Sequence, residues 1–508
     1  MEEKELLEIG QVFKPKDRND YVNNKSSNSD WANYGFSRDL SRIVFSNSFK
    51  RMSGKTQIFP PSFSDHLMSR LTHTIIVNNI AMDISYRLNR KYNTNINIEL
   101  VQAIANGHDV GYTPFGHAGE RIIKKLFSKN NNECINKQLN FSDEYYFKHN
   151  IFSVYILQNL DRIKNISVGY DLAWQTIDGI LKHTEVNYLK KYQESLQYII
   201  NNKFLTSDLL LETLKSYNEN IESYFEYLYP ITIEGQIVKA ADEIAQYYHD
   251  VLDLARYINN TDIVENFISK IFKIDNLEKN NYVEKFINTF TFKENNERKM
   301  NDKITILDNK EFFCSELKEL FINDIVINIG SKIKKNNIKK FLSDNTGRFI
   351  VDNVLFFTDE QNKVRLCFYS DYVKHVSNIL VKFRDDQLKR KEIKEYDNYG
   401  VSVIQETLTT FLNNYNVFEK YCSKDLIECL RRYLKITGES INIDQIKINH
   451  ENIDKYRDRV IKFLYQNYLV NNGSFEYKKE INDIIYSCII MTIAKMTDNF
   501  MLKRKYLD

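Results

Sequence analysis

Apolar residues recur at intervals of three and four along much of the chain, which is the spacing of one face of an α-helix. Five prolines in 508 residues impose few breaks on such helices. The pattern therefore predicts a mostly α protein. The clearest apolar stripes lie in residues 71–88 (Leu71, Ile75, Ile80 and Ile84), residues 98–110 (Leu100, Ile104 and Ala105) and residues 231–258 (Ile237, Ala241, Ile244 and Tyr248).

Two short runs depart from the helical pattern. Residues 347–357 (GRFIVDNVLFF) and 363–370 (KVRLCFYS) are rich in β-branched and aromatic side chains, and together they predict a small β-hairpin. Asn, Lys and Glu dominate the chain between residues 265 and 345, which indicates a variable, solvated helical stretch. We divide the chain into an N-terminal extension (1–36), a helical core (37–264), a variable helical region with the hairpin (265–400) and a C-terminal helical region that packs on the core (401–508).

Composition narrows the class of protein. Hydrophobic residues make up 43% of the chain and charged residues 27%, which is typical of a soluble globular protein. The net charge of +2 gives no general electrostatic reason to bind nucleic acid or a membrane surface. No apolar run approaches the roughly 20 residues that span a bilayer, and the start, MEEKELLEIGQVF, lacks a secretory pattern. Six scattered cysteines without a CxxC pair predict free thiols in a reducing cytoplasm.

The segment NGHDVGYTPFGHAGE, residues 106–120, differs from the rest of the chain. It holds four glycines, a proline, two histidines, an aspartate and a glutamate. Side chains at adjacent helical positions point about 100° apart, so His108 and Asp109 reach one metal ion only at the lip of a cavity, where a helix ends. Gly111 and Pro114 predict that end. His73, beside the first apolar stripe, and Asp242, in the small-residue stretch KAADEIA, are further candidate ligands.

Each of these two residues also has an ordinary interpretation. His73 is consistent with a hydrogen-bonded core histidine, and Asp242 with a solvated helix position. The order His, His-Asp, Asp on separate helices nevertheless resembles the HD-domain metal-dependent phosphohydrolases, and the surrounding segments resemble the deoxyguanosine triphosphate triphosphohydrolase-like branch of that superfamily. The matching segments are SRDLSRIVFSNSFKRMSGKTQIFP (37–60), SRLTHTIIV (69–77), GHDVGYTPFGHAGE (107–120), YFKHNIFSVYIL (146–157), EGQIVKAADEIAQYYHDVLD (234–253) and IAKMTDNFMLKRKYLD (493–508).

The resemblance implies an HD-domain catalytic core within residues 37–264 and one divalent metal ion per subunit, either magnesium, manganese or another first-row transition metal. Its ligands would be His73, His108, Asp109 and Asp242, and two imidazoles with two carboxylates suit such ions.

The resemblance also suggests the groups that move protons. His117 would be the acid that protonates the leaving 5′ oxygen, because imidazole titrates near neutrality. Glu120 would orient it, and His149 would lie beside the phosphates unless it is a helix-surface histidine.

Substrate contacts follow from the same resemblance. Gln57 matches a position that reads the deoxyribose 3′-OH, and Asp250 matches a second sugar-reading position. Arg70 matches an arginine that holds the α-phosphate. Gln246 stands where the family has a tyrosine that closes the sugar pocket, and Tyr247 follows it. For Gln57, Arg70 and Asp250 the alternative is a structural hydrogen bond or a surface salt bridge. A second departure is Tyr112, where the family often has histidine.

The activity implied is hydrolysis of deoxynucleoside triphosphates, with dGTP the first choice, to a deoxynucleoside and inorganic triphosphate. The alternatives are an HD-type phosphohydrolase acting on other nucleotides or phosphoesters, and a non-catalytic nucleotide sensor. By resemblance the partners are a dNTP substrate, copies of the same chain in a homo-oligomer (commonly a hexamer) and an allosteric nucleotide. We expect no membrane partner and a cytoplasmic location.

Overall fold

The computed structural model describes most of the chain. The described residues are 36–57, 68–92, 94, 96–127, 148–161, 170, 172–184, 230, 232–257, 261–274, 277–294, 297–300, 309–335, 369–443, 445–470 and 479–503. The predicted N-terminal extension lies outside them apart from Phe36, and the predicted hairpin at 347–357 and 363–370 lies outside them apart from Tyr369 and Ser370.

The first group of helices carries every residue predicted for the site except Gln57, His108 and Asp109. It comprises α1 (Ser37–Val44), α2 (Asn47–Arg51), α3 (Arg70–Tyr92), α4 (Ile98–Gly107), α5 (Gly116–Phe127), α6 (His149–Tyr155), α7 (Trp174–Leu181) and α8 (Ile233–Tyr257). A 3₁₀ turn, Met52–Gly54, follows α2, and a π-helical turn, Ile156–Leu160, continues α6. Helix α8 packs along α3 and also contacts α4 and α7, so α8 lies at the centre of this group.

The predicted stripe on α3 is partly wrong. Ile75 is 48% exposed, whereas His73, Val77, Ile84 and Leu88 are fully buried. The buried positions follow the true helical repeat of 3.6 residues, and Ile75 lies too far around the helix to share their face. One consequence is that His73 points into the protein interior with the core side chains.

The helix that precedes the His108-Asp109 pair also ends earlier than predicted. Helix α4 begins after Asn97, whose side chain accepts a hydrogen bond from the Leu100 amide, and it ends at Gly107 rather than at Gly111. Gly107 packs closely against α7, since a Cβ there would lie 2.5 Å from Ile180 Cδ1. The chain from His108 to Phe115 is therefore a turn, and the His-Asp pair occupies its start.

Two backbone positions give this turn its shape. At Gly111 a Cβ atom would lie 2.2 Å from the backbone nitrogen of Ser153, so only glycine lets the turn approach α6. At the other end Phe115 and Gly116 both have positive φ, 58° and 56°, a region that few non-glycine residues adopt. This reversal starts α5 in a direction that carries His117 and Glu120 back beside His108 and Asp109.

The remaining described elements are also mainly helical, which confirms the mostly α class and the additional C-terminal helices. They are α9 (Thr261–Phe272), α10 (Asn281–Phe290), β1 (Thr291–Glu294), β2 (Glu297–Met300), α11 (Lys310–Lys335), α12 (Asp371–Gln387), α13 (Lys391–Asn413), α14 (Tyr415–Thr437), β3 (Ile441–Ile443), β4 (Ile446–Ile448), α15 (Arg457–Leu464), α16 (Lys479–Lys495) and α17 (Asp498–Leu502). A π-helical turn, Tyr465–Val470, continues α15.

Two small antiparallel pairs are present among the described residues. Strand β1 pairs with β2, Thr291 opposite Met300, and β3 pairs with β4, Ile441 opposite Ile448. Each pair joins neighbouring strands, and neither lies at the predicted hairpin.

The C-terminal helices contact the helices around the predicted site. Helix α13 packs on α5, and α16 also contacts α5. Asp498, at the start of α17, accepts a hydrogen bond from the Phe115 amide (3.0 Å) and another from the Thr56 amide (3.1 Å). The proposed four-part division of the chain stays a prediction.

Two further expectations concern the compartment. In the described part of the chain, no helix combines the length and apolar character that a membrane crossing needs. Cys314, Cys422, Cys429 and Cys488 are buried free thiols, whereas Cys134 and Cys367 lie outside the described residues.

Candidate active site

The four predicted metal ligands meet at one place. His73 comes from α3, Asp242 from α8, and His108 and Asp109 from the turn after α4. His73 Nε2 lies 3.0 Å from Asp242 Oδ1 and 3.9 Å from Asp109 Oδ2, and His108 Nε2 lies 3.6 Å from Asp109 Oδ2 and 3.8 Å from Asp242 Oδ1. Ligand atoms held about 2.0–2.2 Å from one ion lie roughly 3–4 Å apart, so this spacing fits a single divalent metal.

The hydrogen bonds of the two histidines also fit metal binding. His108 Nδ1 faces the Ala105 carbonyl at 2.7 Å and must donate to it, because a carbonyl only accepts. His73 Nδ1 faces His249 Nε2 at 2.7 Å. The opposite nitrogen of each ring, Nε2, is buried and finds no hydrogen-bond partner among the described residues. His73 Nε2 is within ion-pair distance of Asp242, but the pair is not aligned as a hydrogen bond.

Electrostatics keep these ligands in their metal-binding forms. Burial lowers the pKa of His73 to about 4, so its ring is neutral near pH 7. Burial alone would raise the pKa of Asp109, but His108 and Arg70 hold it well below the usual range. Burial likewise opposes ionisation of Asp242, yet His73 and His108 hold its pKa below the usual range. Both carboxylates are therefore charged. The alternative of a solvated Asp242 does not hold, since Asp242 is buried.

Arg70 lies at the same centre and is already paired with protein groups. Its Nη1 donates to Asp109 Oδ2 at 2.7 Å, and its other nitrogens face the Thr56 carbonyl (3.3 Å) and the Gln57 carbonyl (3.4 Å). The guanidinium also lies 3.3 Å from the centroid of the Tyr112 ring. In this state Arg70 holds a predicted metal ligand, and its predicted contact with an α-phosphate stays a prediction.

The predicted proton-transfer groups form a second cluster beside the ligands. The Tyr112 hydroxyl lies 2.9 Å from His117 Nδ1, and Glu120 Oε2 lies 3.7 Å from the same nitrogen. The other Glu120 oxygen, Oε1, accepts a hydrogen bond from the His149 amide and faces His149 Nδ1, both at 3.1 Å. Glu120 thereby satisfies an amide at the start of α6 that has no partner within that helix. Although burial favours the neutral acid, His149 and His117 hold the pKa of Glu120 well below its usual range.

His117 and His149 differ in their exposure. The His117 side chain is 68% exposed, so it can meet a bound molecule, whereas His149 is buried. The alternative of a helix-surface His149 therefore does not hold. The role of each residue in catalysis stays a prediction.

Sequence reasoning missed two buried histidines at this centre, His183 and His249. His183 Nε2 lies 3.3 Å from His149 Nε2 and 4.0 Å from Asp109 Oδ1, and burial together with His108 and His149 lowers the pKa of His183 to about 3. His249 lies behind His73, with its Nδ1 3.0 Å from Asp250 Oδ1. His249 follows Asp242 by seven residues, about two helical turns, so its place on the same face of α8 was readable from spacing.

The predicted substrate residues line one cavity of about 1200 Å³ that opens from the ligand cluster. Gln57 Oε1 and Asp250 Oδ1 are buried and have no hydrogen-bond partner among the described residues. Gln246 instead donates to both oxygens of Asp242, at 3.2 Å each. The Tyr247 ring packs on Phe321 with 5.1 Å between ring centroids. All five predicted substrate residues therefore line one cavity, but the Gln246 amide contacts Asp242, a predicted metal ligand.

Basic side chains line the same cavity, from elements both before and within the variable region (265–400). They are Arg121, Lys148, Lys239, Lys374, Arg384 and Lys394. Lys239 also donates to the His183 carbonyl at 3.1 Å, and Arg121 pairs with Asp397 at 3.0 Å. Acidic side chains line the cavity as well, so its lining is mixed in charge, and the lysines and arginines are the candidate contacts for a phosphate chain.

The chain is similar to known proteins over the part that holds this cluster. A profile of the HD domain matches residues 70–247, the span that holds all four predicted ligands. A deoxyguanosinetriphosphate triphosphohydrolase-like protein of Rickettsia bellii is 34% identical over 224 residues, which cover 43% of this chain and 46% of the relative. A protein of the same description from Caldanaerobacter subterraneus is 31% identical over 221 residues, covering 44% of this chain and 46% of the relative. The chain thus matches about half the length of these relatives. The resemblance predicted from the sequence segments is confirmed.

Proposed function

We infer, from a chain that contains an HD domain and is related to deoxyguanosinetriphosphate triphosphohydrolase-like proteins, that it hydrolyses deoxynucleoside triphosphates, dGTP first among them. The products would be a deoxynucleoside and inorganic triphosphate. One observation carries the proposal: four candidate metal ligands, the His117–Glu120 pair and a cavity that includes lysine and arginine side chains adjoin one another within a single site.

The ligand set supports a metal-dependent reaction. His73, His108, Asp109 and Asp242 would hold one divalent ion. Such an ion supplies positive charge that polarises a phosphate oxygen and acidifies water. Arg70 and Gln246 hold the two carboxylates in place by donating hydrogen bonds to Asp109 and Asp242. Fixed carboxylates do not need to reorganise during the reaction, which favours catalysis.

The pair formed by His117 and Glu120 supports departure of the 5′ oxygen. An alkoxide is a poor leaving group, so a proton must reach it as the bond to phosphorus breaks. His117 is exposed, lines the cavity and can carry that proton, and the Glu120 carboxylate lies 3.7 Å from its Nδ1. The Tyr112 hydroxyl, 2.9 Å from Nδ1, would fix the ring orientation. Tyr112 thus has a positioning role where the family often has histidine.

The cavity supports a nucleotide of this size and charge. Drug-sized ligands occupy pockets of about 300–1,000 Å³, so about 1200 Å³ leaves room for base, sugar and a triphosphate. Gln57 and Asp250 line the cavity, and their side-chain oxygens are the acceptors that we propose for the sugar hydroxyls.

Product analysis tests the proposal. The purified full-length chain is incubated with Mn²⁺ and each dNTP or rNTP in turn, and nucleoside and inorganic triphosphate are measured by ion-exchange chromatography. We expect equimolar deoxynucleoside and triphosphate, and no turnover by Asp242→Asn. Release of orthophosphate or pyrophosphate would support an HD phosphohydrolase of another kind, and binding without turnover would support a nucleotide sensor.

The partner and location predictions accompany this function. We propose a homo-oligomer, a hexamer by resemblance, an allosteric nucleotide and a cytoplasmic location. Light scattering with and without added dNTP tests the first two together, because an activating nucleotide that drives assembly would raise the measured mass.

A further inference from the structure

Lys55 is a buried lysine that has no part in the proposed function. It follows the 3₁₀ turn Met52–Gly54 and lies two residues before Gln57. Only 1% of the residue is exposed. Lysine is rarely buried to this extent unless it is paired. The Lys55 side chain donates to the backbone carbonyl of Tyr112, a neutral group, and among the described residues no carboxylate lies within ion-pair distance of it.

An amine at this position is costly to stability. Burial, together with the charges of Arg51 and Arg70, lowers the pKa of Lys55 to about 7. The charges of Asp498 and Asp109 oppose this shift without cancelling it. An unbranched apolar side chain of similar size would pack at this position without the cost of burying a polar group. A costly buried amine beside a candidate active site is therefore a candidate for a functional role rather than a packing one.

The Lys55 contact completes the hydrogen bonds that hold the backbone of Tyr112. The Tyr112 amide donates to the Asp109 carbonyl at 3.0 Å, and the Tyr112 carbonyl accepts from the Lys55 side chain. With both groups held, the direction of the Tyr112 side chain is fixed, and its ring centroid lies 3.3 Å from the Arg70 guanidinium carbon. The Lys55 carbonyl also accepts from the Arg70 amide at 3.1 Å. Lys55 therefore contacts both partners of this stacked pair.

The far end of the Tyr112 side chain contacts His117. The Tyr112 hydroxyl lies 2.9 Å from His117 Nδ1, whereas the Glu120 carboxylate lies 3.7 Å from the same nitrogen. The His117 side chain is 68% exposed, and exposed side chains change rotamer rapidly unless a contact holds them. The orientation of His117 therefore depends on Tyr112, and the position of Tyr112 depends on Lys55.

We propose that Lys55 is a positioning residue, which fixes Tyr112 so that the Tyr112 hydroxyl orients His117 at the cavity. Lys55 is absent from the cavity lining, and among the described contacts its side chain touches no predicted metal ligand. The inference rests on the proposed function for the task of His117 and extends that function to a residue outside the cavity. A substitution at Lys55 leaves the backbone bond to Arg70 in place, so it isolates the contact with Tyr112.

Chemical modification of His117 tests the proposal without turnover. The full-length chain, loaded with Mn²⁺, is treated with diethyl pyrocarbonate, which acylates accessible imidazole nitrogens, and the modified peptides are quantified by mass spectrometry. His375, an exposed histidine of α12, is the internal reference. We expect Lys55→Met and Tyr112→Phe each to raise the rate at His117 relative to His375 by about 2- to 10-fold, which corresponds to the loss of one hydrogen bond. Lys50→Met, which removes an exposed lysine of α2, is the matched control and should leave this ratio unchanged.

The kinetics of triphosphate release separate positioning from a merely structural role. Lys55→Met should lower kcat for dGTP by about 10- to 100-fold, because a displacement of about 1 Å in a catalytic group can cost about 10²-fold, while KM should change little. Tyr112→Phe should have a similar effect, and the double variant should lose little more than either single variant, since both changes act on His117 by the same route. A structural role would give losses that add. If circular dichroism shows that Lys55→Met fails to fold, Lys55→Gln takes its place, because its side chain is polar but shorter than lysine.

The positioning role would be refuted by either of two results. In the first, Lys55→Met leaves the modification ratio of His117 at the value found for Lys50→Met. In the second, the losses in kcat from Lys55→Met and Tyr112→Phe add in full. A wild type that releases no triphosphate, together with the expected rise in the His117 ratio, would refute the proposed function and support the positioning. Triphosphate release with an unchanged ratio would refute the positioning alone.

Discussion

Asp498 ties the C-terminal helix α17 to the turn that carries the candidate active site. Its carboxylate is fully buried and accepts hydrogen bonds from the Phe115 and Thr56 amides at 3.0 and 3.1 Å. Phe115 lies two residues before His117 and has a positive φ, and Thr56 immediately precedes Gln57. One side chain therefore holds two backbone segments of the site from the far end of the chain.

Replacing Asp498 with alanine would leave two buried amides without acceptors. Each such amide costs about 1–3 kcal/mol, so we expect Asp498→Ala to lower the free energy of unfolding by about 2–6 kcal/mol. Asp498→Asn keeps one acceptor oxygen and should lose about half as much. Because the left-handed backbone at Phe115 would lose a hydrogen bond that holds it, His117 should also move, and kcat should fall more than KM rises.

Urea denaturation followed by circular dichroism measures the stability, and triphosphate release measures the activity. Asp458→Ala is the matched control, since Asp458 is an exposed aspartate in the first turn of α15. Loss of its interaction with the helix dipole should cost only about 0.3–1 kcal/mol. The reasoning would be refuted if Asp498→Ala were no less stable than Asp458→Ala and retained full kcat.

Four other perturbations have defined outcomes. Asp242→Ala should abolish turnover and lower the metal content while the helical circular dichroism signal survives, and a near wild-type rate would refute the ligand assignment. His117→Ala should reduce kcat by about 10²- to 10⁴-fold with little change in substrate affinity, and an effect confined to KM would make His117 a binding residue. Burial raises the pKa of Glu234 to about 7, so the folded protein favours the protonated acid. The free energy of unfolding is therefore highest below the pKa that Glu234 has in the unfolded chain, and it falls as the pH rises through 7. Glu234→Gln keeps the oxygen that accepts from the Asn97 amide but cannot ionise. In urea denaturation, the variant should therefore lose roughly 3 kcal/mol less stability than the wild type between pH 4.5 and pH 8. An unchanged pH profile would contradict the buried acid. The wild type should hydrolyse dGTP in preference to GTP despite Gln246, and equal rates would show that sugar selectivity is lost.

Helical periodicity predicted the long elements because burial of one face is a local property of the sequence. The stripe at 71–88 lies within the helix Arg70–Tyr92, and the stripe at 231–258 corresponds to the helix Ile233–Tyr257. Ile75 was assigned to the stripe because it follows Leu71 by four residues, but the other buried positions of the helix lie on a different face. The helix end at Gly107 was missed because it depends on close packing of Ile180, which is distant in the sequence.

Part of the candidate site was predicted from residue type and order rather than from helical periodicity. The four candidate ligands could be proposed because a metal needs particular side chains, and the order of those residues resembles that of the HD-domain proteins. His183 carried no such signal, because its position depends on α7 packing against α4 and α8. The role of Asp498 was equally hidden, since its partners at Thr56 and Phe115 lie more than 380 residues away in sequence.

Gln246 shows how contacts in the structure change the meaning of a substitution read from sequence. By resemblance, a tyrosine at this position closes the sugar pocket, and this chain has a glutamine there. Its amide instead donates to both oxygens of Asp242, and the neighbouring Tyr247 ring packs against Phe321 of α11. Neither side chain is then free to form the wall without giving up its present contact. Discrimination of the sugar would therefore depend on Gln57 and Asp250, which line the same cavity and carry oxygens that can accept a hydrogen bond from a hydroxyl.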